Sequence, residues 1–232
     1  MAFIFLKSWF SPWRAYLAEF LGTFVFVFVS CGVVLADIFY GEIGPVGIAL
    51  ASGLSISAMM LSTNHISGGY LNPAITLAMW LAQKVTGTRA FFYILFQFLA
   101  GLAAVGVLLL IFGQKSLKFS LGGSSLGAGV SLQTGFVLEA LLAAVLVFVF
   151  FATMVDKKGN KVVGPLVVGM VVMAAVLFTG RLIDATFNPA RSFGTAIVSG
   201  NYEGLAVFLV GPALGAIFGV VYDFVFLRKV KR

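Results

Sequence analysis

The chain has 232 residues, of which 61% are hydrophobic and only 10% are charged. Soluble domains carry about 25% charged residues, so a soluble core cannot absorb this much apolar surface. The composition excludes an ordinary soluble protein and predicts a membrane protein. The net charge of +7 is explained by basic residues at membrane-facing ends, and it does not predict a nucleic-acid partner.

Six uncharged runs follow one another along the chain, each near the ~20 residues that a helix needs to cross a bilayer. These runs are 20–36, 43–63, 90–113, 140–155, 162–180 and 204–222. Two further apolar stretches, 75–81 and 192–198, are about a third of that length. The pattern predicts an all-α membrane protein of one domain, with six transmembrane helices and two re-entrant half-helices.

Both short stretches follow the same Asn-Pro-Ala motif. Its two copies are Asn72, Pro73 and Ala74, and Asn188, Pro189 and Ala190. The copies are 116 residues apart, half of the chain, which indicates an internal duplication with repeats at about 13–113 and 132–228. Asn is a preferred N-cap and Pro suits the first helical turn, so each copy predicts a helix start.

A glutamate occupies an equivalent place in each repeat. Glu19 and Glu139 lie 53 and 49 residues before the two motif asparagines, at the predicted starts of the first and fourth spans. Intramembrane carboxylates are seldom idle, so we expect both to be buried acceptors for the loops ahead of the half-helices. Since three spans per repeat is an odd number, the second repeat must insert upside down. The half-helices then meet amino end to amino end near the bilayer centre.

Two facing helix starts create a positive region, because each start carries about half a positive charge and unpaired N–H groups. The amides of Asn72 and Asn188 add donors at the same point, which suits a neutral solute with an oxygen atom. A water molecule bound by both donors turns its hydrogens outward and cannot continue a proton wire. The motif pair therefore predicts a pore for neutral solutes that excludes protons and cations.

At these residues the sequence resembles the aquaporin family, also called major intrinsic proteins, along essentially the whole chain. The residues that carry the resemblance are 18–20, 65–74, Glu139 and 187–194. The resemblance implies a six-helix bundle in the lipid bilayer, with one pore in each subunit and usually a homotetramer. It also implies passive flux of water without a cofactor and without chemistry on the solute, so it does not predict an enzyme.

The resemblance places a narrow filter near the outer mouth and assigns it to Ser52, Val176, Ala185 and Arg191. Water-selective members typically have Phe and His at the first two positions, so this filter is expected to be wider and less polar on one side. Against a glycerol channel, Ser192 stands where glycerol-conducting members usually carry Asp. We expect a water channel, and the alternative is a broader pore for glycerol, urea, boric acid or ammonia.

Three single residues have competing interpretations. Arg191 is expected in the filter rather than as a loop charge. His65, the sole histidine, is expected to be a buried hydrogen-bonding support of the first re-entrant loop rather than a pH sensor. Cys31, the only cysteine, is expected to be a small apolar residue away from the lumen, so mercury sensitivity should be low.

Cytoplasmic loops carry the excess of Lys and Arg, which places both termini inside. Eleven of the fifteen basic residues then lie on the cytoplasmic side. Lys7, Trp9 and Trp13 indicate an interfacial anchor rather than a cleaved signal peptide. The basic loop 154–163 either anchors to anionic lipid or closes over the inner mouth. Short loops and minimal tails resemble prokaryotic members, which predicts the inner (plasma) membrane.

Three other classes of protein fit less well. A secondary transporter also uses inverted repeats, but coupling needs titratable groups at mid-membrane, and apart from Glu19 and Glu139 the chain offers few. An intramembrane enzyme needs a nucleophile–base pair or a metal cluster, which one Cys and one His do not supply. A structural membrane protein with a closed pore remains the less favoured alternative.

Overall fold

A computed structural model describes residues 12–180 and 182–227. Its α-helices are α1 (Trp13–Tyr40), α2 (Gly44–Ser67), α3 (Pro73–Leu81), α4 (Gly87–Phe112), α5 (Leu132–Phe150), α6 (Gly164–Thr179), α7 (Pro189–Ser199), α8 (Leu205–Gly215) and α9 (Phe218–Tyr222). An irregular 3₁₀ segment, Gln114–Gly122, follows α4, and π-helical turns extend α5 and α9. The predicted anchor residues Lys7 and Trp9, and the predicted end of the second repeat at residue 228, lie outside the described residues.

All six predicted spans have helical counterparts. Five of these are long and apolar enough to cross a membrane, namely Trp13–Tyr40, Gly44–Ser67, Gly87–Phe112, Leu132–Val155 and Leu205–Leu227. The remaining one, α6, has 16 residues, which at 1.5 Å per residue is about 24 Å. The two half-helices α3 and α7 have 9 and 11 residues. The all-helical architecture predicted from the sequence is confirmed.

The first and fourth spans begin earlier than the uncharged runs predict. Those runs begin at residues 20 and 140, whereas α1 begins at Trp13 and α5 at Leu132. The difference arises because Glu19 and Glu139 lie inside the helices rather than at their starts. Both side chains are completely buried, and a charged group tolerates burial only when hydrogen-bond partners replace water.

Small residues bring the helices into close contact. The main helix pairs are α2 with α6, α1 with α2 and α4, α5 with α8, and α4 with the half-helix α7. A Cβ atom on Gly53 of α2 would overlap the backbone oxygen of Gly169 in α6, and one on Gly194 of α7 would overlap the backbone of Gly101 in α4. Glycine at these crossings lets the helix backbones approach each other, as is common between membrane helices.

The outer surface is apolar as well as the core. Large hydrophobic side chains point outward from several helices, for example Leu54, Phe91 and Met170, which are 53%, 63% and 53% exposed. A surface of this kind is a liability in water but is favourable against lipid chains. The exposed apolar residues therefore agree with helices that span a bilayer.

Candidate functional site

The two half-helices start at the motif asparagines, as the sequence predicts. The Asn72 side-chain oxygen accepts a hydrogen bond from the Ala74 backbone N–H at 2.8 Å. The Asn188 side-chain oxygen accepts the equivalent bond from Ala190 at 3.1 Å. Each asparagine thus caps its own helix, and Pro follows in the first turn, where its missing N–H costs nothing.

The same asparagines join the two half-helices to each other. The amide nitrogen of Asn72 donates to the Phe187 carbonyl at 2.8 Å, and that of Asn188 donates to the Leu71 carbonyl at 3.0 Å. Each Asn therefore bonds the residue that precedes the other Asn. The amino ends of α3 and α7 meet, and each amide keeps one further N–H for another acceptor.

Glu19 holds the loop ahead of α3. One carboxylate oxygen accepts from the Ser67 hydroxyl at 2.6 Å and from the Tyr70 N–H at 3.0 Å. The other accepts from the Leu71 N–H at 2.7 Å and from the Gln97 side-chain amide at 2.8 Å. The carboxylate thus ties α1 to the loop, to the end of α2 and to α4.

Glu139 does the same for the loop ahead of α7, but with fewer described partners. Its two carboxylate oxygens accept from the backbone N–H groups of Thr186 at 2.8 Å and Phe187 at 2.9 Å. Leu71 and Phe187, the residues before the two asparagines, both have positive φ values of 51° and 34°. This backbone conformation is costly for side chains larger than Gly, and here the bonds to glutamate and asparagine stabilise it.

Three cavities follow one another through the bundle. The cavity beside Arg191, called the outer cavity after the predicted topology, has a volume of about 120 Å³. The cavity beside His65, called the inner cavity, has a volume of about 730 Å³. Between them lies a narrow segment of about 10 Å³, which is room for about one water molecule. Asn72 and Asn188 line this narrow segment. The smallest of the three cavities therefore lies where the two half-helices meet.

The outer cavity brings together the four residues that the resemblance assigns to a filter. Ser52, Val176, Ala185 and Arg191 all line it. The Arg191 side chain is 6% exposed, and its guanidinium donates to the Gly122 carbonyl at 2.8 Å. Its Nε has no hydrogen-bond partner among the described residues. A guanidinium held by the Gly122 carbonyl therefore borders this cavity.

Comparison with known proteins agrees with this geometry. The family model of the major intrinsic proteins matches residues 6–222. The chain belongs to the major intrinsic protein family. It is 36% identical to aquaporin-4 of Rattus norvegicus over 228 residues, which cover 94% of this chain and 69% of that protein. It is 37% identical to aquaporin TIP4-4 of Zea mays over 228 residues, which cover 93% and 88%.

A solved structure supports the fold of this major intrinsic protein. The X-ray structure of the aquaglyceroporin from Plasmodium falciparum superposes with a TM-score of 0.83 at 22% sequence identity. The match covers 93% of this chain and 97% of that one. At this identity the likeness establishes the fold of the major intrinsic proteins and leaves the choice of solute to the pore residues.

In this major intrinsic protein, His65 does not have the buried, loop-supporting position that the sequence predicts. The sequence suggests a buried support of the first re-entrant loop, whereas the structure places His65, exposed, in the last turn of α2. It lines the inner cavity. Ser67 supports the loop instead, because its hydroxyl bonds Glu19 and accepts the Gly69 N–H at 3.1 Å. The short Ser67 side chain can bond nearby backbone groups. His65 lies two residues earlier, so its imidazole projects from a different face of the helix.

The sequence analysis did not predict a group of hydrogen-bonded polar residues beside the filter, here called the strap. It consists of Ser124, Ser125, Asp184, Thr186 and Ser192. Ser192 shares hydrogen bonds with Ser124 at 2.8 Å and with Thr186 at 2.7 Å. The Ser125 hydroxyl donates to the Asp184 carboxylate at 2.5 Å. These bonds tie the connection between the repeats to the loop that carries Ala185 and to the first turn of α7, which carries Arg191. Apart from Ser192, which the resemblance singles out, no local pattern marks these residues, because Ser124 and Ser125 lie 68 and 59 residues from their partners Ser192 and Asp184.

Tyr70 is a second residue that the sequence analysis did not single out. It belongs to the first loop, directly between Gly69 and Leu71, and it lines both the narrow segment and the inner cavity. The signal that could have identified Tyr70 as a lining residue is its position two residues before Asn72. The loop backbone that leads to Asn72 must run beside the row of cavities.

The position of Cys31 supports a prediction about mercury. Cys31 is completely buried and does not line the outer cavity, whereas Ala185 does. Mercuric ions need an accessible thiolate, so micromolar mercuric chloride is expected to leave water flux in proteoliposomes unchanged. Ala185→Cys is the matched control, and mercury should block that variant. Inhibition of the wild type that disappears in Cys31→Ser would contradict the prediction.

Proposed function

We propose that this protein is a passive channel that conducts water through a pore within each subunit and excludes protons and ions. The observation that carries the proposal is the row of three cavities, of which the smallest is lined by Asn72 and Asn188. The relatives named aquaporin support the same function. No chemical step is required, because flux follows the osmotic gradient.

The exclusion of cations follows from the geometry of the two helix starts. The amino ends of α3 and α7 meet, and each contributes about half a positive charge. Arg191 adds a full positive charge on the outer side. A cation on the path would be repelled by all three positive charges, whereas a neutral water molecule has no net charge and is not repelled.

The exclusion of protons follows from the remaining donors. One amide N–H of Asn72 and one of Asn188 stay free of the bonds that join the half-helices. A water oxygen that accepts from both must orient its hydrogens away from the pair. That molecule cannot accept a hydrogen bond from a neighbour in the file, so proton transfer along the chain of water molecules stops there.

Stopped-flow light scattering of proteoliposomes tests the proposal. Shrinkage in an impermeant osmolyte should be faster than that of empty liposomes and should have a low activation energy. Re-swelling in glycerol, urea or boric acid should not follow. Water flux equal to that of empty liposomes would contradict a water channel and would favour a structural role with a closed pore.

A broader pore for small neutral solutes is the second candidate. The observation that favours it is the set of small side chains, Ser52 and Ala185, beside Val176 in the outer cavity. Re-swelling in glycerol, urea or boric acid would support it.

Ser52→Phe tests whether Ser52 borders the path of such solutes. An aromatic ring at this buried position should narrow the outer cavity and lower urea and glycerol uptake several-fold relative to water flux. Ser62→Phe, on the exposed side of the same helix, is the matched control and should not change uptake. Equal uptake in wild type and Ser52→Phe would remove Ser52 from the filter.

Four further features belong to this proposal. We propose a homotetramer, as the family resemblance implies, and two repeats at about 13–113 and 132–228. We also propose that both termini face the cytoplasm, because most Lys and Arg residues then lie inside.

Localisation in the inner membrane of a prokaryote stays a prediction. The two relatives named aquaporin come from an animal and a plant. No cofactor or nucleic acid takes part in the proposed mechanism.

A further inference from the structure

The residues of the outer filter do not explain how the pore would exclude neutral solutes larger than water. Ser52, Val176 and Ala185 leave an outer cavity of about 120 Å³, which exceeds by several-fold the space that one water molecule needs. The narrow segment at the half-helix junction has only about 10 Å³. The smallest space along the row of cavities therefore lies at the half-helix junction rather than at the filter.

The narrow segment has mostly apolar walls. Ile56, Leu146, Val168 and Phe26 are among the residues that line it. Tyr70 stands at its inner end, because it is the residue that lines both this segment and the inner cavity of about 730 Å³. A solute that passes the narrow segment must therefore pass the Tyr70 side chain.

The Tyr70 ring is held firmly in this place. It packs edge-on against Tyr93 with ring centroids 5.4 Å apart and against Phe150 with centroids 5.8 Å apart. Its backbone N–H donates to Glu19 at 3.0 Å. A Cβ atom on Gly68 would lie 2.7 Å from the ring, so Gly at that position leaves space for it. Aromatic pairs of this geometry stabilise a ring orientation, which makes the ring a fixed wall.

We propose that Tyr70, rather than the outer filter, sets the size limit of this pore and confines it to water. The ring borders the inner end of a segment whose volume of about 10 Å³ is room for about one water molecule. Urea and glycerol pass the outer cavity and stop at Tyr70. This inference rests on the proposed function and assigns the selectivity for water to one residue.

Substitutions of Tyr70 test the inference in the stopped-flow assay. Tyr70→Ala removes the ring and should raise the ratio of urea and glycerol permeability to water permeability by about tenfold or more. Tyr70→Phe keeps the ring without the hydroxyl and should keep the wild-type ratio. Tyr40→Ala, which removes an exposed tyrosine ring at the end of α1, is the matched control and should also keep it.

The outcomes separate this inference from the proposed function. An unchanged solute-to-water ratio in Tyr70→Ala, with water flux retained, would overturn the role of Tyr70 and leave the water channel intact. Uptake of glycerol or urea by the wild type would also overturn it, and would favour the broader pore. Absence of water flux in the wild type would contradict the channel itself.

A second variant covers the case in which Tyr70→Ala does not fold. Tyr70→His keeps a smaller ring, and it should raise the ratio by a smaller factor than Tyr70→Ala. Size-exclusion chromatography in detergent shows whether each variant is folded before reconstitution. A folded Tyr70→His with the wild-type ratio would overturn the inference.

Discussion

Glu19→Ala is expected to destabilise the protein more than any other single substitution considered above and to abolish water flux. The substitution leaves the N–H groups of Tyr70 and Leu71 without their acceptor. It also removes one of the two acceptors of the Ser67 hydroxyl and of the Gln97 amide. Each buried donor that loses its partner costs about 1–3 kcal/mol. The freed loop would also move into the path, because Leu71 holds Asn188 and Tyr70 lines the lumen.

Thermal unfolding in detergent and water flux per folded protein measure this effect. Glu139→Ala is the internal comparison, and its destabilisation should be smaller, because it removes the acceptor of two backbone donors and of no described side chain. Glu203→Ala, at an exposed turn, should change neither quantity. Equal unfolding temperatures for Glu19→Ala and Glu203→Ala would contradict the anchoring role of the carboxylate.

Arg191→Ala is expected to raise the leak of protons by on the order of tenfold. A unit charge about 8 Å from a permeating cation contributes roughly 2 kcal/mol at an effective dielectric constant of about 20. Removing that charge lowers the barrier for cations and leaves water largely unaffected. Tyr70 still limits solute size in this variant, so urea and glycerol should remain excluded. A pH-sensitive dye inside proteoliposomes measures the leak.

Arg191→Lys separates the charge of Arg191 from its geometry. The lysine keeps the positive charge but loses the planar group that donates to Gly122. Its proton leak should therefore stay near that of the wild type. A leak in Arg191→Ala no greater than in the wild type would show that the two helix starts alone exclude cations.

Several features followed from local patterns in the sequence. The uncharged runs identified the six spans, because a helix in lipid must be apolar along its whole length. The Asn-Pro-Ala motif identified the starts of α3 and α7, because an N-cap and a proline act within one helical turn. The half-chain spacing of Asn72 and Asn188 predicted that these starts meet, and the bonds to Phe187 and Leu71 show that they do.

Other features depended on contacts between distant residues. The true starts of α1 and α5 lie ahead of Glu19 and Glu139, since these carboxylates find their donors about 50 residues away. His65 lies in an exposed helical turn. Ser67 supports the first re-entrant loop, a role that the sequence suggested for His65. The strap from Ser192 to Ser124 crosses between loops that share no sequence pattern.

The sequence by itself determined the membrane setting, the order of the helices and the position of the two half-helix starts. These depend on hydrophobicity and on capping, which act over one span or one turn. Only the tertiary structure decided which cavity is smallest and which side chain lies between it and the inner cavity. The position of the Tyr70 ring results from contacts with residues on separate helices, Tyr93 and Phe150, and close packing of that kind is a property of the assembled bundle.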